Sequence, residues 1–121
     1  MRQKTILMVD DEPDFVDMIR MRLEANNYQV EVAYDGAAGI EKAKDVTPDA
    51  ILLDVMMPGM DGFEALRHLK REAATRDIPV IMLTAKGETK SIFKAQQSGA
   101  TDYLIKPVES EKMLEMLKRY A

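Results

Sequence analysis

An open parallel β-sheet covered by helices on both faces is predicted by three features of the sequence. Short continuous apolar runs recur along the chain, each suited to a strand buried on both sides. Segments with apolar residues at helical spacing alternate with those runs, and turn or cap residues divide the two kinds. Five such strand–helix pairs use up the 121 residues without linker, low-complexity stretch or short-period repeat, so one domain over 1–121 is expected.

Ile6-Leu7-Met8-Val9 is the first strand, and it stops at Asp10-Asp11-Glu12-Pro13. Pro13 suits a first helical turn; Phe15, Ile19 and Leu23 then recur at i, i+4 and i+8 until Asn26-Asn27 ends the helix. Val30-Glu31-Val32-Ala33 reads as the second strand, and Asp35 as the cap of a helix containing Ile40 and Ala43. Pro48 breaks the chain ahead of Ala50-Ile51-Leu52-Leu53, the third strand. Pro58-Gly59 forms a loop, after which Asp61, with Glu64 three residues on, opens a helix bearing Phe63, Leu66 and Leu69. Val80-Ile81-Met82-Leu83 is the fourth strand, followed by a helix around Ile92 and Phe93 that ends at Gly99. Tyr103-Leu104-Ile105 is the fifth strand, and Ser110 is expected to cap a last helix with Met113, Leu114 and Leu117 inward.

Composition narrows the function. The formal net charge of −4 argues against a nucleic-acid surface, which needs an excess of basic groups. The absence of cysteine excludes disulfides and thiolate metal sites. No apolar run approaches the ~20 residues of a membrane span. Met1-Arg2-Gln3-Lys4 leads into too short an apolar run for a secretory signal, so a cytoplasmic location is the default expectation.

In open parallel sheets, chemistry sits at the carboxyl ends of the strands. There the first strand ends in Asp10-Asp11, the third in Asp54, the fourth in Thr84 and the fifth in Lys106. Three carboxylates gathered at one edge repel, at a cost on the order of 4 kcal/mol per pair at ~4 Å and an effective dielectric of ~20. A divalent cation relieves that repulsion, and hard oxygen ligands with room for water suit Mg²⁺. Acids, a cation and a lone lysine are also what a transferring phosphoryl group requires, with an aspartate as nucleophile.

Val9-Asp10-Asp11-Glu12, Leu53-Asp54-Val55-Met56-Met57-Pro58-Gly59-Met60-Asp61-Gly62, Leu83-Thr84-Ala85 and Lys106-Pro107 together resemble the receiver domains of two-component response regulators, of the chemotaxis and sporulation-relay type, over the whole chain. The resemblance implies the flavodoxin-like strand order 2-1-3-4-5, for which a chemotaxis receiver is itself the standing illustration. It implies that Asp54 is the phosphoacceptor, Asp11 a direct Mg²⁺ ligand, Asp10 a partner acting mainly through water, and the Met56 carbonyl the remaining protein ligand. Thr84 is then the switch hydroxyl that closes on the phosphoryl oxygens, Lys106 their counter-ion, and Tyr103 the aromatic that turns inward when Thr84 moves. The Lys106–Pro107 bond is a candidate cis peptide. The implied partners are a histidine kinase or phosphotransfer protein and a downstream target that the sequence does not identify. The protein is expected to be a signalling module that catalyses its own phosphorylation and slow dephosphorylation. Met56 and Lys86 flank the approach of hydrolytic water in this pattern, and neither offers an acceptor to position it, so a long-lived phosphorylated form is expected.

Other functions fit less well. A phosphatase of the haloacid-dehalogenase type needs a second aspartate two residues after its nucleophile; that position is Met56, which moves no proton. A flavin or nucleotide binder needs a glycine- or hydroxyl-rich loop after the first strand, where Asp10-Asp11-Glu12 presents negative charge instead. A receiver that only docks is expected to lack an acid or the lysine, and neither is missing. Taken singly, the residues have plainer readings: Asp10-Asp11 as a helix cap, Asp54 as a turn acid, Thr84 as an ordinary strand end, Lys106-Pro107 as a surface loop. The methionines read as core gap-fillers, His68 as part of a solvated face, and Lys90 and Lys94 as exposed, with an acidic-partner contact as the alternative.

Overall fold

The computed structural model describes residues 2–85, 87 and 89–121, with the side chains of Thr89, Ser91 and Ala95 outside the description. Strands and helices alternate as β1 (Thr5–Val9), α1 (Pro13–Ala25), β2 (Gln29–Ala33), α2 (Gly36–Val46), β3 (Ala50–Asp54), α3 (Gly62–Arg71), β4 (Val80–Ala85), α4 (Thr89–Gln97), β5 (Asp102–Lys106) and α5 (Ser110–Tyr120). The strands form one parallel sheet in the order β2-β1-β3-β4-β5, the arrangement expected from the sequence.

Alternate side chains of each strand leave opposite faces of the sheet and build two cores. Leu7, Val9, Ile51, Leu53 and Met82 pack with Ile40 and Ala43 of α2 and with Phe63, Leu66 and Leu69 of α3. Ile6, Met8, Leu52, Ile81, Leu83 and Leu104 pack with Val16, Ile19 and Leu23 of α1 and with Met113 and Leu117 of α5. Each fully buried Leu or Ile stabilises the fold by roughly 1.5–3 kcal/mol, and a slip of one residue would turn every such side chain to the wrong face. The cores therefore hold the strand register, and the register aligns the strand ends. Val9 pairs with both Ala33 and Leu53, Asp54 with Leu83, Thr84 with Ile105, and Ala85 with Lys106.

The strands run past their apolar stretches, to Asp54 in β3, Ala85 in β4 and Lys106 in β5. A neighbouring strand is available there to complete the hydrogen-bond ladder, whatever the side chain. Asp35 and Asp61 cap α2 and α3 as expected, accepting the N–H groups of Ala38 at 2.8 Å and Glu64 at 2.9 Å. Ser110 does not cap α5. It is the first helical residue, and Glu109 holds the extended N-cap position without a side-chain bond, its carbonyl accepting from Met113 N–H at 3.0 Å. In α4, Ile92 is half-buried and Phe93 lies 64% exposed, while Gly99 beyond its end takes φ +91°, a backbone angle suited to glycine. The Lys106–Pro107 peptide is cis.

Candidate functional site

The carboxyl edge of the sheet gathers carboxylates from two strand ends, those of β1 and β3, around an ammonium from a third, β5. Lys106 Nζ donates to Asp10 Oδ2 at 2.9 Å and to Glu12 Oε1 at 3.4 Å, and lies 3.4 Å from Asp54 Oδ1. Asp10 is fully buried and Asp54 is 4% exposed, so water screens neither charge well. Backbone bonds hold each acid in place. Asp10 N–H donates to the Ala33 carbonyl at 3.2 Å, while Glu12 N–H donates to Asp10 Oδ1 at 3.0 Å. Val55 N–H donates to Leu83 O at 3.0 Å just after Asp54. Gly62 N–H, at the start of α3, donates to Val55 O at 2.9 Å, and a Cβ on Gly62 would overlap the Asp54 carbonyl oxygen. Only glycine lets α3 begin so close to the backbone that carries Asp54.

This crowding shows in the proton affinities. Burial, reinforced by the negative charge of Asp10, pushes the Asp54 carboxyl up to about 6, against the opposing pull of Lys106 and the Met56 backbone N–H. For Lys106, burial is the largest single influence and lowers its affinity. The hydrogen bond to Asp10 and the charges of Asp54 and Asp10 together outweigh it and hold the ammonium above its ordinary value.

Asp10, Asp11 and Glu12 each offer a carboxylate oxygen, and these atoms lie within 4.8 Å of one another. That set of hard donors, Asp10 buried, Asp11 half-buried and Glu12 exposed, fits a cation such as Mg²⁺. Asp54 is not one of the three; it joins the cluster through Lys106. Thr84 is 1% exposed near the end of β4, and its Oγ1 has no hydrogen-bond partner among the described residues. Tyr103 is half-buried against the core on the α2–α3 face and, with Gln96, Ala100, Thr101 and Asp102, lines a cavity of about 70 Å³. The Met56 side chain is 68% exposed while its N–H faces the Asp54 carboxylate. The expectation for Lys86 lies outside the described residues.

Sequence reasoning passed over two residues that touch the site. Glu12 stood inside the acidic motif but was given no role, although it reaches Lys106. Phe15 fits the helical apolar spacing and reads as core, yet its ring faces Lys106 Nζ at 4.4 Å from the centroid. Of the remaining candidates, His68 is half-buried, Lys90 is exposed, and Lys94 lies over the Phe63 ring at 4.8 Å.

The family comparison agrees with this sheet order and acid–lysine edge. The model of the response regulator receiver domain matches residues 6–118, and the chain belongs to that family. Among its relatives is the DNA-binding dual master transcriptional regulator RpaA of Synechocystis sp., 42% identical over 93% of this chain and 47% of that protein. The phosphate regulon transcriptional regulatory protein PhoB of Escherichia coli is 40% identical over 95% of this chain and 50% of its own length. The chain thus spans about half the length of these regulators, whereas it covers 93% of protein PilH of Pseudomonas aeruginosa at 39% identity. Of solved structures, chemotaxis protein CheY4 of Vibrio cholerae superimposes with a TM-score of 0.92 at 32% identity, over 99% of this chain and 100% of that one. The receiver domain of sensor histidine kinase PA1611 from Pseudomonas aeruginosa PAO1, solved with a magnesium ion coordinated in its active-site cleft, gives 0.91 at 31% identity over 98% of each chain. Among the described residues, no helix is long and apolar enough to cross a membrane.

Proposed function

We propose that residues 1–121 act as one cytoplasmic receiver that takes a phosphoryl group from a histidine kinase or phosphotransfer protein onto Asp54, in a Mg²⁺-dependent reaction. The observation that carries this is the placement of Asp54: a carboxylate 4% exposed at the end of β3, with the Lys106 ammonium 3.4 Å away. An ionised carboxylate oxygen at that position is the nucleophile. An Asp54 oxygen attacks phosphorus; the new O–P bond forms as the bond to the donor's imidazole nitrogen breaks, its electron pair leaving with the nitrogen. Lys106 offers its N–H groups to the phosphoryl oxygens. Bound Mg²⁺ supplies charge neutralisation at the same oxygens. Asp11 would hold it directly and Asp10 mainly through water, with Asp54 and the Met56 carbonyl completing the set.

Thr84 holds a buried hydroxyl with no hydrogen-bond partner among the described residues, beside this edge. Closing on a phosphoryl oxygen satisfies it, so phosphorylation favours the conformation in which Thr84 moves toward Asp54 and Tyr103 follows. The surface near Tyr103 then presents itself to a downstream partner.

Incubation with acetyl phosphate and Mg²⁺, followed by mass spectrometric mapping, is expected to place one phosphoryl group on Asp54 and none on an Asp54→Asn variant. Uptake by Asp54→Asn at the wild-type rate would overturn the assignment. For the switch, Thr84→Ala should still accept the group but show much smaller NMR shifts around Tyr103 on phosphorylation. Shifts as large as those of wild type would break the proposed coupling.

A further inference from the structure

Lys106 has two kinds of neighbour, and only one of them is acidic. Carboxylates of Asp10, Glu12 and Asp54 take the ammonium at 2.9–3.4 Å. The ammonium also lies over the face of Phe15, 4.4 Å from Nζ to the ring centroid. Phe15 sits in the first turn of α1 and packs against the core below, so its ring is anchored. The Lys106 side chain beside these groups is 20% exposed.

A lysine has four rotatable side-chain bonds and three N–H donors, and it loses substantial rotamer entropy when fixed. A carboxylate behind the ammonium would fix it but also claim a donor and compete with an incoming phosphoryl oxygen. An aliphatic side chain would leave every donor free but let the ammonium swing toward water. The negative face of an aromatic ring attracts the charge and claims no donor. We propose that Phe15 is a positioning residue for phosphoryl transfer: its ring face holds the Lys106 ammonium beside Asp54 without claiming any of its N–H groups. This rests on the reading of Asp54 as acceptor and Lys106 as counter-ion.

The test replaces Phe15 with 4-fluoro-, 3,5-difluoro- and 3,4,5-trifluorophenylalanine, which drain the ring face of charge at nearly constant shape. Equal urea midpoints across the series establish that packing is unchanged. The rate of phosphorylation by acetyl phosphate at fixed Mg²⁺ is expected to fall stepwise, about fivefold by the trifluoro ring. The NMR order of the Lys106 side chain, measured without any phosphodonor, should fall in parallel. A rate that stays flat across the series overturns the proposal, whether or not the lysine loosens. Failure of the underlying reading shows differently, as phosphoryl uptake by Asp54→Asn or an undiminished rate in Lys106→Ala, and would overturn both.

Discussion

Asp49 and Asp54 stand at opposite ends of β3, one just ahead of the strand and the other its last residue. Asp49, at the amino edge of the sheet, accepts two N–H groups of Arg2 at 2.7 and 3.1 Å and the Thr5 backbone N–H at 2.8 Å. Its carboxyl is held below the usual range, chiefly by the bond to Arg2. Asp54, at the carboxyl edge, is buried beside a second acid and raised to about 6. One strand thus carries a carboxylate whose charge is satisfied and another whose charge is crowded. The first holds β1 and β3 together; the second leaves binding capacity for a group that arrives from outside. The two edges differ in whether the fold itself completes the charge.

The largest expected effect comes from removing the crowded charge. The rise from 3.8 to about 6 corresponds to about 3 kcal/mol of destabilisation once Asp54 is ionised. Some of this is recovered through Lys106, which loses a partner in the variant. Asp54→Asn should therefore be more stable than wild type by about 2 kcal/mol at pH 7.5 in EDTA. The folded protein binds the Asp54 proton more tightly than the unfolded chain, so at this residue wild-type stability declines as pH rises from 3.8 to about 6. The advantage of the variant should grow over that window and level off above it, and added Mg²⁺ should shrink it by binding the wild-type fold. Urea denaturation across the pH range measures all three. Equal stability at every pH would erase the contrast between the two ends of β3.

A second contrast sets two buried threonines against each other. Thr75 Oγ1 donates to the Leu69 carbonyl at 2.6 Å, whereas Thr84 Oγ1 has no partner among the described residues. Replacing a bonded hydroxyl strands its acceptor, but replacing an unbonded one removes a desolvation cost. Thr75→Val should lose roughly 1–2 kcal/mol, and Thr84→Val should lose nothing or gain up to about 1 kcal/mol. The midpoints of urea denaturation decide between them. A Thr84→Val variant destabilised as much as Thr75→Val would mean that the hydroxyl is already engaged before any phosphoryl group arrives.

How far the sequence reaches follows from the range of each interaction. Ala50-Ile51-Leu52-Leu53 is visible as a strand because burial on both faces leaves a continuous apolar run. With the strands in place, parallel register brings Asp10, Asp54, Thr84 and Lys106 to one edge, so the groups of the site were legible. Side-chain geometry across long chain separations was not. The bond of Lys106 to Glu12 spans 94 residues and that of Arg2 to Asp49 spans 47, and no local pattern marks either. Phe15 was hidden because one spacing serves two purposes: the position that faces the core below also faces the ammonium above. The start of α5 was misplaced by one residue because Ser110 is the better cap by type, while the backbone of Glu109 takes the extended conformation.

The smallest predicted effect tests the satisfied end of β3, and its pH dependence runs opposite to that of Asp54. The Arg2 side chain is 68% exposed, so its ion pair with Asp49 is screened and contributes little. The Thr5 N–H bond is part-buried and joins the start of β1 to the start of β3, and its charge assistance is what an amide gives up. Asp49→Asn should accordingly cost about 1 kcal/mol at neutral pH. Arg2→Ala should cost less than that, and 0.5 M salt, about a 4 Å screening length, should narrow the gap between Arg2→Ala and wild type without closing the one left by Asp49→Asn. Because the folded value of Asp49 lies below 3.8, its contribution is complete above that pH and is lost as pH falls through the folded value. Asp49→Asn and wild type should thus converge on acidification, over a range that begins below the one in which Asp54→Asn and wild type do. Urea midpoints measured from pH 3 to 8 resolve both trends on the same samples. A cost for Asp49→Asn that persisted unchanged at the acid end would mean that Asp49 holds the edge by shape and neutral hydrogen bonding, and that charge distinguishes only one end of the strand.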